Sequence, residues 1–235
     1  MSHYGLIGKT LGHSWSPGIF AQTFPQGGHT YTLFEIPSIT EVGRIIEEND
    51  LSGFNVTIPY KQQIIPLLDG LTAEAQAIGA VNTVLVQGKQ LIGHNTDGPA
   101  FLATIRPLLQ SYHQEALVLG DGGASKAVSW AFRELDIQHH IVSHYEISTQ
   151  QDILCKRPFQ ILVNATPVGM PPLEGETPWR HPEVFTPQHI IYDLVYNPPV
   201  TRLLQDAQNH GAIARNGYAM LQSQARLAYE FWGLF

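Results

Sequence analysis

A single cysteine, Cys155, is all that this 235-residue chain carries, so no internal disulfide can form. Charge is scarce as well. Asp, Glu, Lys and Arg make up 14% of the residues, the formal net charge is −7, and no cluster of Lys or Arg occurs. That balance argues against nucleic acid or an anionic membrane surface as a partner. No apolar run approaches the roughly 20 residues of a bilayer-spanning helix. The start has neither a basic n-region nor an apolar h-region, which leads us to expect a cytoplasmic protein. Repeats and low-complexity tracts are missing too. The eleven histidines suggest no metal site: His139, His140 and His144 lie close together, but a strand would send neighbours to opposite faces without a closed ligand set. Cys155 has no activating neighbour and reads as a structural or incidental thiol. What remains is a chain that is 43% hydrophobic, ample for one large domain or two modest ones, and suited to small-molecule chemistry.

Strands and helices alternate along it. Tyr4 to Gly8 and Tyr31 to Ile36 read as strands, Ser38 and Glu41 as a capping box for a helix to about Asn49, and Phe54 to Ile58 as a third strand. A helix from about Thr72 stops at Gly79, and Ala80 to Val86 returns as a strand that turns at Gly88 into Leu91-Ile92-Gly93. Asn95-Thr96-Asp97-Gly98-Pro99 breaks this pattern and opens a helix that Pro107 kinks or ends. We place a domain boundary there.

The second unit opens with Ala116 to Leu119 running into Gly120-Asp121-Gly122-Gly123-Ala124-Ser125-Lys126-Ala127, a strand, a glycine turn and a helix. Ala124, Ala127, Val128, Ala131, Phe132 and Leu135 recur at helical spacing, the stripe of a helix packed on a sheet. Glycines in that context allow close backbone approach, so that amides at the helix start can hold a pyrophosphate; the bare alternative is a turn that only joins strand to helix. Asp121 is an oddity beside phosphates. Further strands follow at His140 to Ser143, Phe159 to Val163 and Ile190 to Val195, with a helix from about Thr201 to His210 ended by Gly211. His144, Tyr145 and Glu146 come where a ribose would be met, and Asn164-Ala165-Thr166-Pro167 leaves a strand's carboxyl end, either to line a cofactor or simply to turn.

Three positions invite a chemical reading. Lys61 follows the β-rich run Gly53-Phe54-Asn55-Val56-Thr57-Ile58-Pro59-Tyr60, where a helix could begin. It is either an ammonium at a strand's carboxyl edge, facing a ligand, or a solvated lysine in a first turn. Asn82 interrupts an apolar strand. Gln224 falls among Met220, Leu227 and Phe231 on one face of the last helix. Burying an unpaired amide costs on the order of 1–3 kcal/mol, so each is either satisfied within the core or kept for a ligand.

Taken in order, Gly12-His13-Ser14-Trp15-Ser16-Pro17, Asn55 to Lys61, Gly79 to Thr83, Asn95 to Gly98, Gly120 to Ala127, Asn164 to Met170, Tyr192 to Pro198 and Met220 to Gln224 resemble the shikimate dehydrogenases over nearly the whole chain. That family reduces 3-dehydroshikimate to shikimate with a nicotinamide cofactor, a step toward chorismate and the aromatic amino acids. The resemblance implies an α/β protein of two domains. Residues 1–97 with 214–235 would bind substrate, residues 98–213 would form a Rossmann-like nucleotide domain, and the site would lie in the cleft between them. Lys61 and Asp97 would be the catalytic pair, although Asp97 alone reads as a helix cap. Ser14 and Ser16, local turn residues by themselves, would bind the substrate carboxylate. Thr57, Asn82 and Gln224 would contact ring substituents, with Tyr196 nearby. Gly120, Gly122, Gly123, Ala124, Ser125, His144, Asn164, Thr166, Val195 and Gly217 would bind the cofactor.

The expected cofactor is NADP, with NAD also open. His144 stands where an arginine often pairs with the 2′-phosphate, so phosphate discrimination should be weakened, and Glu146 is placed to accept from a free ribose hydroxyl. The expected partner is the small-molecule substrate, the chain being a monomer or homodimer. Related quinate or aminoshikimate dehydrogenases share this pattern, a folate-type dehydrogenase shares the layout, and a nucleotide-binding regulator without turnover would share the fold.

Overall fold

The computed structural model describes residues 2–12 and 14–235; His13 of the serine motif lies outside them. The chain divides into two compact units, one holding residues up to Asp97 together with Gln222–Phe235, the other Gly98–Leu221.

The first unit is a six-stranded mixed sheet. Its strands are β1 (Ser2–Gly8), β2 (His29–Glu35), β3 (Leu51–Val56), β4 (Gly70–Leu71), β5 (Thr83–Gln87) and β6 (Gln90–His94), in the order β2-β1-β3-β5-β6-β4. β1, β2 and β3 are parallel, and β5 runs antiparallel between β3 and β6. Alternation along β1 sends Ile7 to one side, into a core with Phe54, Val56, Ile64 and Val84, and Tyr4 to the other. α1 (Ser16–Thr23) and the end of α9 (Tyr218–Phe231) cover that second side. Trp232 stacks on Tyr4 and donates its indole N–H to the Val84 carbonyl at 3.0 Å. β3 carries Gly53 because a Cβ there would fall 2.6 Å from the Trp232 ring nitrogen.

Local chemistry explains most boundaries. Thr72 caps α3 (Ala73–Ile78) by accepting from the Ala75 amide, and Gly79 ends it at φ +71°. The expected capping box at Ser38 and Glu41 does not form. Ser38 caps a 3-10 turn over Ile39–Glu41, Arg44 takes the Glu41 carboxylate at 2.7 Å, and α2 (Val42–Asn49) starts afterwards. Lys61 likewise lies in a run of turns leading to a 3-10 helix at Ile65–Leu67, not in an α-helix. In α9 the residues buried against the sheet are Ala225, Ala228 and Tyr229, whereas Gln224, Leu227 and Phe231 are half-buried. The expected stripe thus flanks the core, because small alanines let the backbone approach the sheet.

α4 (Asp97–Ile105) passes into a 3-10 turn at Pro107 and leads to the second unit. There β7 (Glu115–Leu119), β8 (Gln138–Val142), β9 (Ile161–Asn164), β10 (Ile190–Asp193) and β11 (Ile213–Arg215) form a wholly parallel sheet in the order β11-β10-β9-β7-β8. Counted within the unit this is a 2-1-3-4-5 order, a doubly wound, Rossmann-like sheet whose direction of winding reverses between β7 and β9. α5 (Gly123–Glu134) buries Ala127, Val128, Ala131 and Phe132, as its periodicity requires. α6 (His144–Thr149), α7 (Gln151–Leu154) and α8 (Arg202–Asn209) complete the unit. The second unit runs past residue 213 to Leu221 because the short β11, with only three residues to signal it, pairs with β10. Among the described residues no helix is long and apolar enough to cross a membrane.

Candidate active site

Sheet order collects the first group of residues. β1 and β3 are parallel, so Gly8 and Val56 leave the sheet at one edge; β5 is antiparallel, so it enters at that edge, and β6 leaves there again. The loop to Ser14 and Ser16, the Thr57–Lys61 turn, Asn82 and Asp97 therefore all adjoin the edge where β1, β3 and β6 end. Lys61 and Asp97 meet outright: the ammonium donates to Asp97 Oδ2 at 2.6 Å, with the two side chains only 15% and 9% exposed. The lysine's own backbone is held by its carbonyl, which accepts from the Val81 amide at 2.8 Å.

Asn82 is engaged within the protein through Oδ1 and one of its two Nδ2 hydrogens. Its Nδ2 donates to Thr96 Oγ1 at 2.8 Å, and its Oδ1 accepts from the Thr96 amide at 2.8 Å and from the Thr83 hydroxyl at 3.1 Å. Asn55, which we did not single out from the sequence, extends the network. It donates to the Asn82 carbonyl and to Thr83 Oγ1, and accepts from the Tyr31 hydroxyl at 2.8 Å. Burial pushes the Tyr31 phenol well above its ordinary pKa, against a hydrogen bond with Ser16 that lowers it. The available signal was a polar residue in an apolar strand, the same one that marked Asn82. Glu35 is a second omission: it accepts from the Leu11 amide at 2.5 Å and so ties down the loop that carries Ser14, whose Oγ accepts from the Ser16 amide at 3.3 Å. Gln224 belongs to the part of α9 in this first unit, and Tyr196 belongs to the second.

A different group gathers where β7, β9 and β10 end. Gly120 adopts φ +101°, and a Cβ on it would lie 3.1 Å from Thr166 Cγ2 and 3.2 Å from the Ala165 carbonyl oxygen. Asn164 Oδ1 accepts from the Thr166 amide and hydroxyl, fixing the loop that leaves β9. Gly217 donates its amide to the Val195 carbonyl at 3.1 Å, and a Cβ there would come within 2.1 Å of the Leu194 oxygen. Gly122 caps α5, with Gly123, Ala124 and Ser125 in its first turn. The Ser125 hydroxyl is fully buried and has no partner among the described residues. A backbone-lined cradle at the sheet's reversal, with an orphaned hydroxyl in the helix that starts there, fits a bound dinucleotide.

The segment expected to meet the ribose opens α6. His144 and Tyr145 are exposed. Glu146 is engaged by its own helix: Oε2 accepts from the Ser143 amide and hydroxyl at 2.8 Å, a capping box, and Oε1 lies 3.2 Å from His140 Nε2. Those Ser143 bonds hold its pKa below the usual range. Among the described residues no three His, Cys, Asp or Glu side chains gather in a way that could hold a metal.

An ammonium–carboxylate pair at the edge of one sheet, and a glycine-lined turn where the winding of a second, doubly wound sheet reverses, are the two candidate sites. Residues 6–84 match the model for the shikimate dehydrogenase substrate binding domain. A shikimate dehydrogenase (NADP(+)) of Chlorobaculum tepidum is 35% identical over 97% of this chain and 89% of its own. A chorismate mutase/shikimate 5-dehydrogenase fusion protein from Clostridium acetobutylicum superposes with a TM-score of 0.88 at 33% identity, covering 100% of this chain and 92% of that one. Shikimate 5-dehydrogenase from Thermus thermophilus, solved with NADP(H) and shikimate, gives 0.85 at 32% identity, covering 100% and 94%. This chain belongs to the shikimate dehydrogenase family.

Proposed function

We propose that the chain catalyses the reversible NADP(H)-dependent reduction of 3-dehydroshikimate to shikimate, with Lys61 and Asp97 as the catalytic pair. The observation that carries this reading is their 2.6 Å ion pair at the edge where the parallel strands end. NADPH, when bound, supplies the hydride. Hydride arrival at a ketone carbon leaves charge on its oxygen, and the Lys61 ammonium both stabilises that charge and gives up the proton. Asp97 keeps the lysine aimed, and accepts from a neighbouring substrate hydroxyl. Ser14 and Ser16, on the adjoining loop, bind the carboxylate. Thr57, Asn82 and Gln224 contact the ring, with Tyr196 nearby. Asn82 also holds Thr96, and with it the approach to Asp97, in place through Oδ1 and one of its two Nδ2 hydrogens.

The glycine turn at Gly120, Gly122 and Gly123 with Ala124 and Ser125, the loop at Asn164 and Thr166, and the passage of Gly217 past Val195 form the dinucleotide surface of the second unit. With His144 in place of a guanidinium, NADP is favoured over NAD by less than an arginine fork would give. The chain works in the cytoplasm. Initial rates of shikimate oxidation with NADP and NAD in parallel test the whole reading. NADP-linked turnover is the expected result; folded protein that binds shikimate and turns over neither cofactor would overturn it, and turnover of quinate alone would overturn the substrate.

A further inference from the structure

Asp193 ends β10 with no exposed surface, at the same sheet edge as the glycine turn. Three donors from three segments converge on its carboxylate: Asn164 Nδ2 at 2.8 Å, the Val195 amide at 3.0 Å and the Thr201 hydroxyl at 2.6 Å. Each donor belongs to a segment with a further duty. Asn164 Nδ2 also reaches the Val168 carbonyl at 3.0 Å, while its Oδ1 sets the Thr166 turn. Thr201 caps α8 by accepting from the Leu204 amide. Gly169, at φ +104°, passes so close that a Cβ would lie 3.2 Å from Thr201 Cγ2 and 4.0 Å from Asp193 Oδ2. A side chain larger than hydrogen at residue 169 has no place there.

A buried carboxylate is costly, and one without a cation beside it costs more than a neutral amide of the same shape. All three of its partners are uncharged, and burial pushes its pKa up to about 6. The fold tolerates this because an anion alone accepts from three donors at once and so locks the exits of β9 and β10 and the start of α8 into a single arrangement.

We propose that Asp193 is a positioning residue for the dinucleotide, its carboxylate holding residues 164–169 and 194–201 in the shape that receives the cofactor. This rests on the reading that those loops line the nucleotide surface. Asp193→Asn keeps the size but sets an amide donor against the Thr201 hydroxyl. Binding of NADPH and of shikimate, each followed by titration calorimetry on the same preparation, tests the idea. The expected result is an NADPH affinity reduced about tenfold, with shikimate affinity unchanged. Thr201→Val, which also removes the hydroxyl, should show the same split, and Thr201→Ser, which retains it, should bind as the wild type does. Full NADPH affinity in folded Asp193→Asn would overturn the proposal, as would an equal loss for both ligands. Gly122→Ala separates this from failure of the site reading. A Cβ at residue 122 meets nothing within 4 Å, so weakened NADPH binding there beside normal binding in Asp193→Asn would overturn only the role of Asp193. Normal binding in both would remove the nucleotide surface as well.

Discussion

The two sheet edges are built on opposite principles. At the edge of the mixed sheet the working atoms are side chains: an ammonium and a carboxylate in contact, with Asn82, Thr83, Thr96 and Asn55 bonded to one another behind them. At the edge of the parallel sheet the proposed surface is backbone, and Gly120 and Gly217 let its loops pass closer to one another than a side chain would allow. The first site fails when an atom is taken away, the second when one is added.

Mutations can break that contrast directly, and the largest effect belongs to the ion pair. Lys61→Ala should lower kcat for shikimate oxidation by roughly 10²–10⁴-fold, the range for a positioned proton donor. Circular dichroism should still report a folded chain. Retained turnover would remove the lysine from the chemistry. Gly217→Ala is the reverse experiment. With only 2.1 Å to the Leu194 oxygen, it should cost about 3 kcal/mol or more, read as a lowered midpoint in urea, whereas Gly122→Ala should leave that midpoint unchanged.

Acid sharpens the comparison more gently. Burial lowers the pKa of His113 from 6.5, and the Gln110 amide donates to its Nδ1, so Nε2 carries the proton toward the Gln188 carbonyl. A depressed histidine contributes stability that is complete above its unfolded value of 6.5 and is lost as the pH falls from there through the folded one. Asp193 has the opposite sign: raised from 3.8 to about 6, its contribution is complete below 3.8 and lost as the pH rises through 6. Thermal melts should therefore fall as the pH drops below 6.5 in the wild type and fall more steeply in Asp193→Asn, which lacks the opposing titration. A parallel decline in both would contradict the assignment. The smallest effect is one of selectivity: His144→Arg should raise the NADP-to-NAD efficiency ratio about tenfold, the worth of one charge-assisted hydrogen bond, and an unchanged ratio would place the 2′-phosphate elsewhere.

How far these edges could be read in advance followed the kind of interaction. Thr72, Gly79 and the stripe of α5 announced themselves because caps, positive φ and helical period are local and leave residue types behind. Lys61 drew a reading from its place after a β-rich run, but its pairing with Asp97 came only from family resemblance, since residues 36 apart meet only through the sheet order. Competition among partners was not legible. Glu41 is taken by Arg44 and not by Ser38, Glu146 caps its own helix through Ser143, and one hydrogen of the Asn82 amide goes to Thr96. A polar residue at a suggestive position has several partners within reach, and only three-dimensional geometry selects one.

The seat of Trp232 on Gly53 and Val84 governs the order in which the protein can be finished. The strands that bear the lysine–aspartate pair precede the parallel-sheet unit in sequence, but one face of their sheet is covered by a residue that follows that unit. The parallel-sheet unit, whose residues all lie between, has its full sequence available earlier. The mixed-sheet unit is thus the one that must wait until the whole of the other has been made, and deleting residues 232–235 should undo it.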